Sequence, residues 1–237
     1  MIVVQNLCKN YKSIKALDNV NINIKDGELF GLLGVNGAGK TTLIKILCGL
    51  SKKSSGNVYV NNLDLDVEID KIKEIIDLSP QETSVANNLS VKENLDFFSN
   101  IYSINDDKYI EEIIDIFNLR DVLNQRAKTL SGGYKRRLSV AIALISKPKI
   151  LFLDEPTLGL DVFARRELWN IIERLKSKIT IILTSHYLEE VEHLCDRVAI
   201  LSKGHVLKVG TIEELKQLTN TNKFEDAFIK VVEGVHE

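Results

Sequence analysis

Six short groups of residues in this chain have types and spacings that chemistry can use. The first is GVNGAGKT, in which Gly34, Gly39, Lys40 and Thr41 directly follow the apolar run Leu29 to Leu33 and precede the helical run Thr42 to Leu50. Glycines at such a bend let backbone N–H groups wrap an anion. A helix N-terminus adds positive potential, a lysine reaches outer phosphates, and a threonine hydroxyl serves a magnesium ion. The segment is read as a phosphate loop contacting a nucleotide through Gly34, Val35, Asn36, Gly37, Ala38, Gly39, Lys40, Thr41 and Thr42. A glycine-rich turn with a solvated lysine is the plainer alternative, and the order of strand, loop and helix counts against it.

Asp154 and Glu155 end the apolar run Ile150 to Leu153. On a continuing strand their side chains point to opposite sides, so Asp154 can hold a metal while Glu155 faces an attacking water. Gln81 follows Ser79 and Pro80 at the end of another apolar run, where its amide can touch both metal and water. His186 closes the run ITIILTS and begins a helical pattern with Leu188, Val191 and Leu194, so it too can face the outer phosphate. A metal site shared by His186 and His193 is excluded by spacing, because seven helical residues span about 10.5 Å. Glu189, Glu190 and Glu192 read as a solvated face.

Ser131, Gly132 and Gly133 precede Lys135 to Ile145, a run with Leu138, Ile142 and Ile145 on one side. By residue type alone Ser131 is a helix cap, the glycines make a turn, and Lys135, Arg136 and Arg137 are solvated charges.

These groups need a scaffold, and the apolar pattern supplies one. Leu29 to Leu33, Ile75 to Leu78, Ile150 to Leu153 and Ile179 to Leu183 are short continuous apolar runs, as buried parallel strands require. Each leads into one of the groups above, and in open α/β sheets ligands sit at the carboxyl ends of strands. Four strand ends therefore converge on one phosphate. Met1 to Val4, Val20 to Ile24 and Val58 to Val60 alternate in part, as antiparallel strands with a wet face do. Between Gln81 and Pro148 the pattern turns helical, with Ile110, Ile113, Ile114 and Phe117 three or four apart. That block reads as a helical subdomain inserted into the sheet.

With 237 residues, 44% of them apolar, the chain can bury a sizeable core as one elaborate domain or two small ones. A net charge of -2 gives no basic footprint, so no nucleic-acid partner is expected. Cys8, Cys48 and Cys195 are odd in number and widely spaced, which fits a reducing cytoplasm better than a disulfide framework or a zinc site. The opening residues MIVVQNLCKNYK lack the pattern of a signal peptide, and no stretch of about 18 consecutive apolar residues occurs. Neither a leader nor a membrane span is expected.

In this order the phosphate loop, Gln81, LSGGY (Leu130 to Tyr134), ILFLDE (Ile150 to Glu155), LGLD (Leu158 to Asp161) and His186 resemble the ATPase subunits of ABC transporters, over nearly the whole chain. The resemblance implies an α/β fold of the phosphate-loop NTPase (RecA-like) class, with a parallel-sheet core, an N-terminal antiparallel β subdomain and an inserted α-helical subdomain. It implies a single ATPase domain over residues 1–237, with 1–85 and 148–218 as core, 86–147 as the helical subdomain and 219–237 as a tail.

Its cofactors would be ATP and Mg2+, with Thr41, Gln81 and Asp154 on the metal side. Glu155 would be the catalytic base, assisted by His186, Gln81 and Lys40. Tyr11 stands where the family places an aromatic residue that stacks on adenine. Ser131, Gly132 and Gly133 would bind the outer phosphate of a nucleotide held by an opposite subunit, and Asp161 would serve the subunit contact. Tyr134 replaces the more usual glutamine at a variable position, and LGLD replaces the more common SALD.

The implied partners are transmembrane permease subunits and a second copy or paralogue, at the cytoplasmic face of a membrane. PTLGLD and the tail Phe224 to Phe228 resemble exporters of the drug-resistance and ABC-2 type. A non-transport ABC ATPase, ribosome-associated or of the DNA-repair type, usually needs a second cassette or a long coiled coil, whereas this sequence has one phosphate loop and no sustained heptads. An ordinary kinase or switch GTPase leaves Ser131 to Gly133 unexplained.

Overall fold

The computed structural model describes residues 1–234. In chain order its elements are β1 (Ile2–Tyr11), β2 (Ile14–Ile24), β3 (Leu29–Leu33), α1 (Lys40–Leu47), β4 (Ser55–Val60), β5 (Leu63–Asp64), α2 (Ile69–Lys73) and β6 (Ile76–Ser79). Three helices follow, α3 (Val91–Ile101), α4 (Asp107–Ile116) and α5 (Gly132–Ile145), then β7 (Ile150–Asp154), α6 (Val162–Leu175), β8 (Thr180–Ser185) and α7 (Leu188–Leu194). The described chain closes with β9 (Arg197–Ser202), β10 (His205–Gly210), α8 (Ile212–Thr219) and α9 (Phe224–Glu233).

Two sheets organise these elements. The first, in the order β2-β1-β4-β5, is antiparallel throughout. The second runs β10-β9-β3-β8-β7-β6, parallel from β9 to β6 with β10 added antiparallel at one edge. Every residue of β3, β7 and β8 is buried, which is why these strands read as unbroken apolar runs.

The pleat then divides their side chains between two cores. Leu29 and Leu33 of β3 pack with Leu151, Leu153, Ile181 and Leu183 beneath the helices. Phe30 and Leu32 face the other way, with Phe152 and Ile182, toward the antiparallel sheet. Burying both faces fixes register, because a slip by one residue would exchange the two cores.

The helical block is anchored by its caps. Ser90 and Glu93 form a reciprocal capping box at the start of α3 (3.2 and 2.7 Å), and Asp106 caps α4. Helix α5 is buried from Arg136 through Ile145 and lies between this block and the parallel sheet. At the other end, Phe224 and Ala227 of α9 are buried in the same core. The expected tail, residues 219–237, thus contains a docked helix from Phe224 onward, while its residues 235–237 lie outside the described residues.

Several elements differ from the sequence reading. The expected strand Ile179 to Leu183 lies at Thr180–Ser185, because backbone pairing with β3 and β7 carries the ladder through two polar residues. The helix expected at Thr42 to Leu50 runs from Lys40 to Leu47. Strands β9 and β10 complete the sheet beyond β3 and extend the expected set of four.

Candidate nucleotide-binding site

The loop from Gly34 to Gly39 leaves β3 and enters α1 at the carboxyl edge of the sheet. Gly39 stands at the helix N-cap with φ 106°, a conformation closed to residues with a Cβ. A Cβ there would also lie 2.8 Å from the Ala16 carbonyl oxygen. The turn therefore requires glycine on two counts, and it sets Lys40 as the first residue of α1.

Lys40 is 6% exposed. Its Nζ donates to the Gly34 carbonyl at 2.6 Å and to that of Val35 at 3.4 Å, and lies 3.5 Å from Glu155 Oε1. Thr41 donates from Oγ1 to Asp154 Oδ1 at 3.3 Å, and Thr184 donates to the same oxygen at 2.6 Å. The oxygens of Thr41 and Asp154 thus meet at the loop's edge, a donor set of the kind that a hard divalent cation takes.

Glu155 corrects the sequence reading. Strand β7 ends at Asp154, and Glu155 adopts φ 50°, so a left-handed turn and not strand pleating separates the two carboxylates. The turn is held from β8: the Glu155 N–H is shared between Thr184 Oγ1 at 2.9 Å and the Thr184 carbonyl at 3.2 Å. His186, just past β8, places Nδ1 2.6 Å from Glu155 Oε2. A carboxylate set between Lys40 and His186 and 8% exposed is aimed and desolvated, as a group that takes or orients a proton must be.

Lys40, Thr41, Glu155 and His186 share one cleft of about 480 Å3, within the range of small-molecule sites, whose lining does not include Gly34, Val35 or Asp154. Asn36 to Thr42, Gln81, Glu155 and His186 line it, together with Ile14, Lys15, Ala16, Leu158 and Lys203. Sequence reasoning missed Lys15, Ala16 and Lys203, which arrive from β2 and from the turn between β9 and β10. It also missed Thr184, whose hydroxyl ties Asp154 to Glu155; a threonine closing the apolar run ahead of Ser185 was the available signal.

Other expected site residues lie outside the cleft lining. Tyr11 ends β1, opposite Ile14 in the β1–β2 register, and is 43% exposed. Its hydroxyl is 3.3 Å from Ser51 Oγ, and the Lys9 ammonium lies 4.5 Å over its ring. Ser131 caps α5 by accepting from the Tyr134 N–H at 3.4 Å, and it is exposed with Gly132. A Cβ on Gly133 would meet that of Ala164 on α6 at 2.8 Å, so the glycine lets two helix starts approach. Asp161 caps α6 through Phe163 and Ala164 N–H groups, both at 2.9 Å.

Two further expectations are corrected by burial. Arg136 and Arg137 are not solvated: they are 3% and 4% exposed. Arg137 pairs with Glu167 and lies 4.1 Å over the Tyr134 ring. Glu190 is fully buried, unlike exposed Glu189 and Glu192, and accepts from Trp169 Nε1 at 3.0 Å. Burial pushes its carboxyl above the usual range, and Glu155 adds to the shift.

Comparison with known proteins identifies the family. The ABC transporter family matches residues 17–158. The linearmycin resistance ATP-binding protein LnrL of Bacillus subtilis is 36% identical over 91% of this chain and 70% of its own length. The phospholipid-transporting ATPase ABCA3 of Homo sapiens is 39% identical over 87% of this chain, which spans only 12% of that protein.

Among solved structures, an ATP-binding subunit of an ABC transporter superposes with TM-score 0.87 at 25% identity, covering 98% of this chain and 99% of the other. The dimeric cassette MJ0796, in a post-hydrolysis state bound to ADP and Pi, superposes with TM-score 0.79 at 27% identity over 89% and 98%. On the family match and the identity to LnrL, the chain belongs to the ABC transporter family, as an ATP-binding cassette.

Proposed function

We propose that this chain is the ATP-hydrolysing motor of a transporter, bound through permease subunits to the cytoplasmic face of a membrane and working as a dimer with two ATP molecules between protomers. The observation that carries the reading is the cleft itself, in which Lys40, Glu155 and His186 form one contact chain beside the phosphate loop. Main-chain N–H groups and Lys40 bind the phosphates, Gln81 and His186 face the outer phosphate, and Glu155 orients the attacking water and accepts its proton. Thr41, Asp154 and Gln81 would hold Mg2+, which neutralises charge on the phosphates when bound. The adenine stacks on Tyr11, beside Ile14 at the mouth of the cleft.

Ser131, Gly132 and Gly133 contact the phosphate of the partner's nucleotide, and Asp161 supports the same interface. The dimeric state of MJ0796 supports this arrangement. One cassette over residues 1–237 is proposed, with 86–147 as the helical arm that presents Ser131 and 219–237 as the tail. Among the described residues no helix is long and apolar enough to cross a membrane; in this reading the permease belongs to other subunits or other segments. Export is favoured by the similarity to a resistance protein. The test is phosphate release by the purified chain. ATP with Mg2+ should give turnover that EDTA and Glu155→Gln each abolish, and turnover insensitive to both would defeat the reading.

A further inference from the structure

One side chain joins the two halves of this machinery without entering the cleft. Arg136 lies in the first turns of α5, the helix that Ser131 caps, and is 3% exposed. Its guanidinium donates to four main-chain carbonyls. Nε reaches Pro156 at 2.7 Å, Nη1 reaches Pro80 at 2.5 Å and Gln81 at 3.2 Å, and Nη2 reaches Asp154 at 2.9 Å.

The acceptors share a meaning. Asp154 and Pro156 flank Glu155, whose φ of 50° turns it off the strand into the cleft. Pro80 and Gln81 form the segment that carries the Gln81 side chain into the same cleft. A planar fork with five N–H donors can span two separate loops in this way, whereas an ammonium is a point donor. Arg136 and the helix start belong to one continuous helix, Gly132–Ile145, so a rigid shift of α5 carries both.

We propose that Arg136 is a positioning residue, tying the helix that begins at Ser131 to the backbone on both sides of Glu155 and to that of Gln81. Whatever displaces Ser131 to Gly133 then re-aims Glu155. This rests on the reading that a partner's nucleotide binds at Ser131 to Gly133, in which case the occupancy of one site sets the geometry of the other. Burial lowers the guanidinium pKa to about 10, while nearby Asp154, Glu190 and Glu155 act in the opposite direction, so the group stays charged at neutral pH.

The test uses the full chain with Arg136→Lys and Arg136→Gln, measuring kcat and KM for ATP with Mg2+, equilibrium affinity for a fluorescent ATP analogue, and melting temperature. Misplacing a reacting group by a fraction of an ångström to an ångström costs about 10- to 100-fold in rate. The expected result is a fall in kcat of that size with ATP-analogue affinity unchanged, because Arg136 does not line the cleft. A folded Arg136→Lys chain with wild-type kcat overturns the proposal. So does parallel loss of kcat and ATP affinity, which a merely structural role would give. If Arg136→Gln fails to fold, Arg136→Lys decides.

The dimer of Glu155→Gln with ATP, carrying no change at Arg136, tests the underlying reading by itself. If that dimer does not form, the link between sites is overturned even where the kcat effect at Arg136 holds.

Discussion

The cleft and the face around Ser131 differ in how their polar groups are used. At the cleft, Lys40, Thr41, Glu155 and His186, with buried Asp154 and Thr184, satisfy one another over distances of 2.6 to 3.5 Å. At the start of α5, Ser131 and Gly132 are exposed, and among the described residues the Ser131 hydroxyl accepts only a 3.4 Å bond from its own helix. A helix N-terminus presents N–H donors and positive potential. The contrast teaches that the first region is a site built within one chain. The second has the form that the proposed reading expects of half a site, one that an anion from outside the chain would complete.

The sharpest break in this comparison comes at Glu155. Glu155→Gln keeps the shape but removes the proposed proton acceptor, so kcat should fall roughly 100- to 10,000-fold in a phosphate-release assay while ATP still binds. Ser131→Arg should lower turnover by at least about 100-fold, as loss of phosphate-directed stabilisation does. Equilibrium titration of that variant as a monomer should return wild-type ATP affinity. Weakened binding there would put Ser131 in the chain's own site and erase the distinction.

A smaller effect tests how tightly the cleft is knit. Thr184→Val keeps volume but leaves Asp154 without its 2.6 Å donor and takes one of two acceptors from the Glu155 N–H. Chemical denaturation should show a loss of about 1 to 3 kcal/mol. An unchanged midpoint would mean that the network is not a source of stability.

The smallest effect concerns Glu190. Burial raises its folded-state pKa above the ordinary glutamate value of 4.5, so the folded chain binds more protons than the unfolded one in the window above that value. Stability from this group is therefore present at low pH and lost as pH rises from 4.5 through the folded pKa. Glu190→Gln should remove that slope, gaining stability relative to wild type at pH 8 more than at pH 5. Parallel melting curves across this range would refute the assignment.

The same contrast explains what the sequence disclosed. The phosphate loop, the two carboxylates and His186 were legible because each follows an apolar run and acts near its own place in the chain. Their meeting in one cleft follows from parallel pairing of β3, β8 and β7. The direction of Glu155 was not legible: pleat alternation predicts one geometry, and a φ of 50° held by Thr184 imposes another. Arg136 and Glu190 were read as solvated by residue type. Their burial depends on carbonyls from distant loops and on Trp169, which no local pattern displays. Strands β9 and β10 went unread because nothing at their ends resembles a catalytic group, although their turn brings Lys203 to the cleft.

The central claim is that one chain holds the nucleotide and a second chain completes the site. Size-exclusion chromatography with light scattering, run with ATP and Mg2+ on Glu155→Gln and on the double variant Glu155→Gln, Ser131→Arg, tests it most directly. The single variant should elute as a dimer and the double variant as a monomer that still carries ATP. A monomeric single variant, or a double variant that dimerises equally well, would contradict it.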